Sequence, residues 1–431
     1  MALIDDLVIE REQAWIDTRR DIHRNPELGF TELRTASIVA ERLTNLGFDV
    51  AIGPEVMRPE SMMGVPGEQQ LRERAGELGG SNVTSAWLER MPGGQTGVVA
   101  TLHRGDGPVV AYRFDMDALP ILETGERAKR SGYISCRHGV HHACGHDGHT
   151  AIGLGFAEWL KHDESPWCGT AKLVFQPAEE GGRGAAPMAD AGVVDDAQWF
   201  FAAHLGVGLP SRHIAGASRG MLNSTKLDAR FLGEPAHAGA NPENGRNAIL
   251  AAATATLNLY AISRAASGAT RVNVGRIEGG TARNIIADDC VLELEVRGET
   301  EAAAEYMERR ARTVLEAAAA MQDVEVEITV VGQTVMPVQD DAAVDAVMAV
   351  ASRTPGVDKA VREFRCTGGE DAPFLMRRVQ ARGGHACYFL IGADLTDFHH
   401  TADFDFDEAS IATGVRMFSG LAEHVSNSRI A

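Results

Sequence analysis

Four apolar runs in the first half of the chain set the strongest limit on its fold: GVVATLH (97–103), PVVAYRF (108–114), AKLVFQP (171–177) and WFFAAHL (199–205). Each is continuous rather than alternating, so each reads as a strand buried on both faces. Between them, TAIGLGFAEWL (150–160) has the spacing of a helix. Doubly buried strands need helices on both sides, which implies an α/β architecture with a parallel or mixed sheet. Two helices are expected ahead of the strands, over 8–31 and 34–47, the second stopping at Gly47. Residues 51–95 are polar and Gly-rich, and read as an irregular excursion with one helix near 82–90.

Near residue 217 the period changes. STKLDARFLG (224–233), TRVNVGRIEGG (270–280), CVLELEVRG (290–298) and VEVEITVVG (324–332) alternate or nearly so, with an Ala-rich helix over 244–262 and a longer one over 299–321. The order β-α-β-β-α-β describes a small antiparallel sheet with two helices on one face, a ferredoxin-like α+β unit. Residues 338–428 return to α/β character, with a helix near 341–352, a strand at 387–392 and a closing helix at 407–425. The expected organisation is a discontinuous domain, 1–216 with 334–431, interrupted by an inserted domain at 217–333.

A length of 431 residues accommodates two such domains. The net charge of −19, with no basic run, argues against a nucleic-acid partner. No run of about 18 apolar residues offers a membrane span, and MALIDDLVIEREQAW lacks the basic and apolar regions of a signal peptide. Six scattered cysteines without a framework spacing read as reduced thiols of a cytoplasmic protein.

Chemistry concentrates at the ends of the apolar runs. Cys144-Gly145-His146-Asp147-Gly148-His149 puts a thiol, two imidazoles and a carboxylate into one loop. On an extended segment Cys144 and His146 would share a face, and thiolate with imidazole suits a borderline ion such as zinc. Asp115 and Asp117 end one strand, two apart, placed to orient a ligand histidine. Glu179-Glu180 follow another strand at its carboxyl end, where α/β sheets collect ligands. His204 closes WFFAAHL, and His399-His400 precede the last helix. Together these supply Cys, His and Glu donors for a two-metal site. Which of His399 and His400 serves is open on spacing alone.

CGHDGH, FQPAEEGGRGA, the His204 strand end, GEPAHAGANPENGRNAI, GGTARNII and HHTADFDFDE occur in this order. The chain thereby resembles the amidohydrolase branch of the metal-dependent aminoacylase and glutamate-carboxypeptidase superfamily. Its excursion before GQTGVVATL is like that of the group holding the p-aminobenzoyl-glutamate hydrolases and indole-3-acetyl-aspartate hydrolases. The resemblance implies a metallopeptidase-like catalytic domain and a lid or dimerisation domain. It implies two divalent ions, manganese or zinc, on Cys144, His146, Glu180, His204 and His400. It makes Glu179 the general base and Asp117 the supporting carboxylate. His237 would reach the active site of a partner protomer, and Asn284, Arg283 and Arg297 would lie near the substrate. Departures are His142 in place of a usual Met, the added Cys136, Arg137, His138 and His141 in RSGYISCRHGVHH, and the double glycine of Gly368-Gly369-Glu370-Asp371.

The implied reaction is hydrolysis of the amide joining an aromatic acyl group to an acidic amino acid, such as aminobenzoyl-glutamate or indole-acetyl-aspartate. Arg246, Arg283 or Arg297 would fork the amino-acid carboxylate. A homodimer is expected, the alternative being assembly with a homologous second subunit. The residue cluster at 136–142 raises a rival, hydrolytic deamination of an aromatic amine by the same metal site. A third reading, from another class, is a catalytically inactive binding scaffold on this fold.

Overall fold

All four continuous runs are strands. The computed structural model describes residues 2–78 and 85–427, and its strands are β1 (Asp49–Ile52), β2 (Val98–Arg104), β3 (Val109–Asp115), β4 (Gly169–Gln176), β5 (Trp199–Leu205), β6 (His213–Arg219), β7 (Asn223–Leu232), β8 (Thr270–Gly279), β9 (Asp289–Gly298), β10 (Glu325–Thr334), β11 (Lys359–Arg365) and β12 (His385–Ile391). Two compact units result. The first holds Met1–Arg219, Pro337–Cys366 and Asp371–Ala431, and the second Gly220–Met336 with Thr367–Glu370.

In the first unit eight strands form one mixed sheet, ordered β1-β2-β4-β3-β5-β12-β6-β11. Its centre, β4-β3-β5-β12, is parallel throughout, so four carboxyl ends open on the same edge. Helices Ala2–Arg24, His146–Lys161 and Ala409–Asn427 pack together in one core with Phe114, Phe175, Phe201 and Phe389 from the sheet. The first helix stops at Arg24, short of the expected residue 31. Pro26 explains this, since it bars the residue before it from helical geometry. Within the excursion, β1 and the Glu68–Glu77 helix form. That helix has no apolar stripe to read, and Arg74 ties it down through a buried ion pair 2.5 Å from Glu27. Of the helix expected near 82–90, only Ser85–Leu88 is helical, and 82–84 lie outside the described residues.

The second unit is an antiparallel sheet ordered β10-β7-β9-β8, with the Ala248–Tyr260 and Glu301–Ala320 helices closing one core over Leu227, Phe231, Leu292 and Leu294. Thr367–Glu370 fall here rather than with 334–431. The reason is backbone pairing: Leu222 N–H donates to Gly368 O (3.2 Å), and Val335 N–H to Glu370 O (3.3 Å).

Candidate metal centre

The first unit brings the donors together at the carboxyl ends of its parallel strands, where such sheets place their sites. Cys144 does not sit on an extended segment. Gly145 adopts φ 87°, and His146 opens the His146–Lys161 helix. The turn, not a strand face, aims thiol and imidazole into one place. Gly148 lets this helix start lie close, since a Cβ there would come 2.5 Å from Phe406 Cζ and 2.8 Å from Leu205 Cδ1.

Asp117, past the end of β3, organises the centre. Its Oδ1 and Oδ2 accept the backbone N–H groups of Glu179 (3.0 Å) and Glu180 (2.9 Å), and Oδ1 lies 3.2 Å from His146 Nδ1. His204 Nδ1 donates to the Leu205 carbonyl at 2.8 Å. Both rings thus have Nδ1 engaged and Nε2 turned inward, the usual orientation of histidine metal ligands. His204 Nε2 is 3.4 Å from Cys144 Sγ, His146 Nε2 is 3.9 Å from Glu179 Oε2, and His400 Nε2 is 3.3 Å from Glu180 Oε1. Donor atoms of Cys144, Glu180 and His400 lie within 4.8 Å of one another, as do those of Cys144, His204 and His399 and those of His146, Glu179 and Glu180.

Both histidines of the 399–400 pair therefore border the cluster, but differently. His399 Nε2 already accepts the Val207 N–H at 2.9 Å, whereas His400 Nε2 points at Glu180.

Three buried atoms in the cluster, His146 Nε2, Glu180 Oε1 and His399 Nδ1, have no hydrogen-bond partner among the described residues. Burial and then the charges of Glu180 and Glu179 push the Cys144 thiol well above its ordinary range. A buried pocket of acceptors whose negative potential holds a thiol neutral is the environment that a divalent cation reverses. The residues present fit such ions.

A scaffold holds the donors, and of its members sequence reasoning singles out only Asp115 and His149 for chemistry at the site. His149 Nδ1 is 2.5 Å from Asp115 Oδ1, and its Nε2 accepts the Leu205 N–H at 2.9 Å, so it supports rather than faces the cluster. Burial raises the Asp115 carboxyl, but His146, His149 and Arg113 outweigh it and bring it well below the ordinary range. Arg113 also donates to Gln176 Oε1 (2.8 Å), and Gln176 Nε2 to Asp371 Oδ1 (2.7 Å). Asp371 Oδ2 receives the Gly184 and Ala185 amides, both at 2.9 Å. Glu32 Oε1 accepts the Ala178 N–H at 2.8 Å. Arg113, a charge inside an apolar strand run, was the one visible signal of the rest. Ala178, Val207 and His400, beside or within the donor loops, take positive φ values of 49°, 48° and 65°.

Of the residues placed near the substrate, His237 and Asn284 are neighbours within the second unit: His237 bridges Ile285, and Ala238 N–H donates to Asn284 O at 3.0 Å. His237, Asn284 and Arg283 are exposed. Arg297 is committed to Glu295 through bonds of 2.8 and 3.0 Å, and Arg246 to the Asp323 carbonyl at 3.3 Å. Of the 136–142 cluster, Cys136 and Arg137 bond Asn25 and Pro26, just past the first helix.

A model of peptidase family M20/M25/M40 matches residues 111–424. The chain is 44% identical over 412 residues, 94% of each sequence, to a subunit of the p-aminobenzoyl-glutamate hydrolase of Escherichia coli strain K12. It is 44% identical over 423 residues, 96% of each, to indole-3-acetyl-aspartic acid hydrolase of Enterobacter agglomerans. Its structure is similar to that of an aminobenzoyl-glutamate utilization protein from Klebsiella pneumoniae, with a TM-score of 0.85 and 39% identity over 97% of this chain and 98% of that one. It is also similar to the YXEP protein of Bacillus subtilis, described as a dinuclear metal-binding M20 peptidase, with a TM-score of 0.67 and 25% identity over 97% and 99%. The family match spans most of the chain and covers every strand end that carries a donor: this protein belongs to peptidase family M20/M25/M40.

Proposed function

We propose that the chain is a dinuclear metal-dependent amidohydrolase that cleaves the amide of an N-acyl acidic amino acid with an aromatic acyl group. The reading rests on one observation above the others. Asp117 holds the backbone of Glu179 and Glu180 together, so a candidate base and a candidate ligand are presented side by side to a cluster of Cys144, His146, His204 and His400. Two divalent ions on Cys144, His146, Glu180, His204 and His400, manganese or zinc, would supply Lewis acidity and the activation of water. Glu179 takes the proton from the attacking water and delivers it to the leaving nitrogen as the C–N bond breaks, yielding acid and amine. His237 would complete the site across a dimer, stabilising the charge that develops on the carbonyl oxygen. Asn284 and Arg283 would contact the substrate carboxylate. Arg297 is the weaker candidate, because reaching substrate means releasing Glu295. The edge position of β8 and the exposed Leu250, Leu257 and Tyr260 favour pairing of the second unit with another copy.

The test is release of glutamate or aspartate from a panel of N-acyl amino acids by metal-loaded protein, beside Glu179→Gln. The variant should keep its metal and lose about 10²–10⁴-fold in rate. Near-normal turnover with intact metal would reject Glu179 as the base. No turnover of any acyl amino acid by the loaded wild type would reject the function.

A further inference from the structure

A second donor cluster lies in the first unit around the end of the Ala2–Arg24 helix. His23 Nε2 is 3.1 Å from Glu123 Oε1, His141 Nε2 is 3.7 Å from the same oxygen, and all three side chains are fully or almost fully buried. The three donor atoms lie within 4.8 Å of one another. None of them belongs to the catalytic centre described above.

The cluster is built from its outer side. His23 Nδ1 lies 2.8 Å from Asp147 Oδ2 and 3.1 Å from Arg19 Nη2, which leaves Nε2 to face Glu123. Glu123 Oε2 accepts the Ser135 N–H at 2.6 Å, which leaves Oε1 to face the two histidines. The backbone of His141 is pinned by two reciprocal bonds of 3.0 Å with Leu119. What these contacts do not satisfy is the His141 ring. Both of its nitrogens are buried without a hydrogen-bond partner among the described residues, and so are those of neighbouring His142. Orphaned buried imidazoles are costly, and native structures resolve them with an ion or a water.

Two arrangements compete. In one, His23 is an imidazolium shared between Asp147 and Glu123. That serves His23 and Glu123 and leaves His141 stranded. In the other, a cation takes a lone pair from each of the three residues at once. Burial holds His141 down to about 4, so its ring is neutral and has a lone pair to give. Two imidazoles and one carboxylate form a donor set of zinc type, with water free to complete the coordination.

We propose that His23, Glu123 and His141 bind a third divalent transition-metal ion, one that staples the 119–141 segment to the end of the first helix. It is independent of the hydrolase reading, since it shares no ligand with that centre.

The test uses the full-length protein loaded with zinc. Anomalous diffraction at the zinc edge should show a peak about 2.0–2.2 Å from His23 Nε2, Glu123 Oε1 and a nitrogen of His141. Metal analysis should find one ion fewer per chain in His141→Gln than in the wild type, with hydrolysis of the amide substrate retained. A cluster holding only water, or no anomalous peak there, overturns the proposal in favour of the bridging imidazolium. So does an unchanged metal count in a folded His141→Gln. Should that variant not fold, the map of the unmutated protein decides. Missing peaks at Cys144 would instead reject the catalytic reading and leave this one standing.

Discussion

Asp117 Oδ1 lies 3.2 Å from His146 Nδ1, a carboxylate behind an imidazole that turns its other nitrogen into the donor cluster. The same side chain accepts the amides of Glu179 and Glu180. Asp117→Asn keeps the shape, weakens the hold on His146 and loses one of two amide acceptors. Metal affinity should fall about 10–100-fold, read by competition with a chelator, while the unfolding midpoint of metal-loaded protein moves less.

Cys144 belongs to two of the donor groups, beside His204 and beside Glu180 with His400. Cys144→Ser replaces a soft ligand by a hydroxyl that does not ionise near neutral pH. Zinc retention should suffer more than manganese retention, because thiolate is what favours the softer ion. Metal content after dialysis against each ion reads this directly. Unchanged retention of both ions would mean that the thiol is not a ligand.

Acid should unfold the protein partly through Asp405. Burial works against its charge, but Arg19, 2.7 Å away, together with the Tyr133 hydroxyl, holds its pKa below the ordinary range. A carboxyl depressed in the folded state contributes stability that is complete above its unfolded value near 4 and fades as pH falls through the folded value. Urea midpoints measured from pH 7 down to pH 3 should therefore drop, and Asp405→Asn should flatten that drop. Arg19→Met should cost more, roughly 3–5 kcal/mol at neutral pH, because it removes the one fully buried cation that Asp147, Asp405 and Glu408 share.

Gly148→Ala puts a methyl where Phe406 and Leu205 already are. Overpacking of this kind costs about 1–3 kcal/mol, seen as a lower urea midpoint. Because the helix start carries His146, the shift should also weaken metal binding. A variant as stable as the wild type would show that Phe406 can move aside.

What could be read from sequence was whatever left a local mark. The runs at β2, β3, β4 and β5 are unbroken and apolar, and His204, Glu179 and Glu180 stand at or just past the ends of two of them. Strands β6 and β11 left no such mark: HIAGASR is made of small residues, and KAVREFR lies on the sheet edge with its charges in solvent. The placement of Cys144 and His146 on an extended stretch failed because a left-handed glycine and a helix start do that work instead. The supports behind the donors were invisible for a further reason. Glu32 with Ala178, or Arg113 with Asp371, are buried pairs more than 100 residues apart, and no spacing rule connects them.

Ala178, Val207 and His400 hold left-handed backbone that side chains other than glycine rarely adopt. Each bend stores on the order of 1–3 kcal/mol that surrounding contacts must restrain. Glu32 and His399 hold the Ala178 and Val207 bends through hydrogen bonds of the chain itself, and only the His400 bend belongs to a candidate ligand. Stripping the ions would free that one segment to relax, and refilling would have to rewind it, so recovery of metal after chelation should lag behind mixing and show hysteresis, with a rate set by the chain rather than by diffusion of the ion.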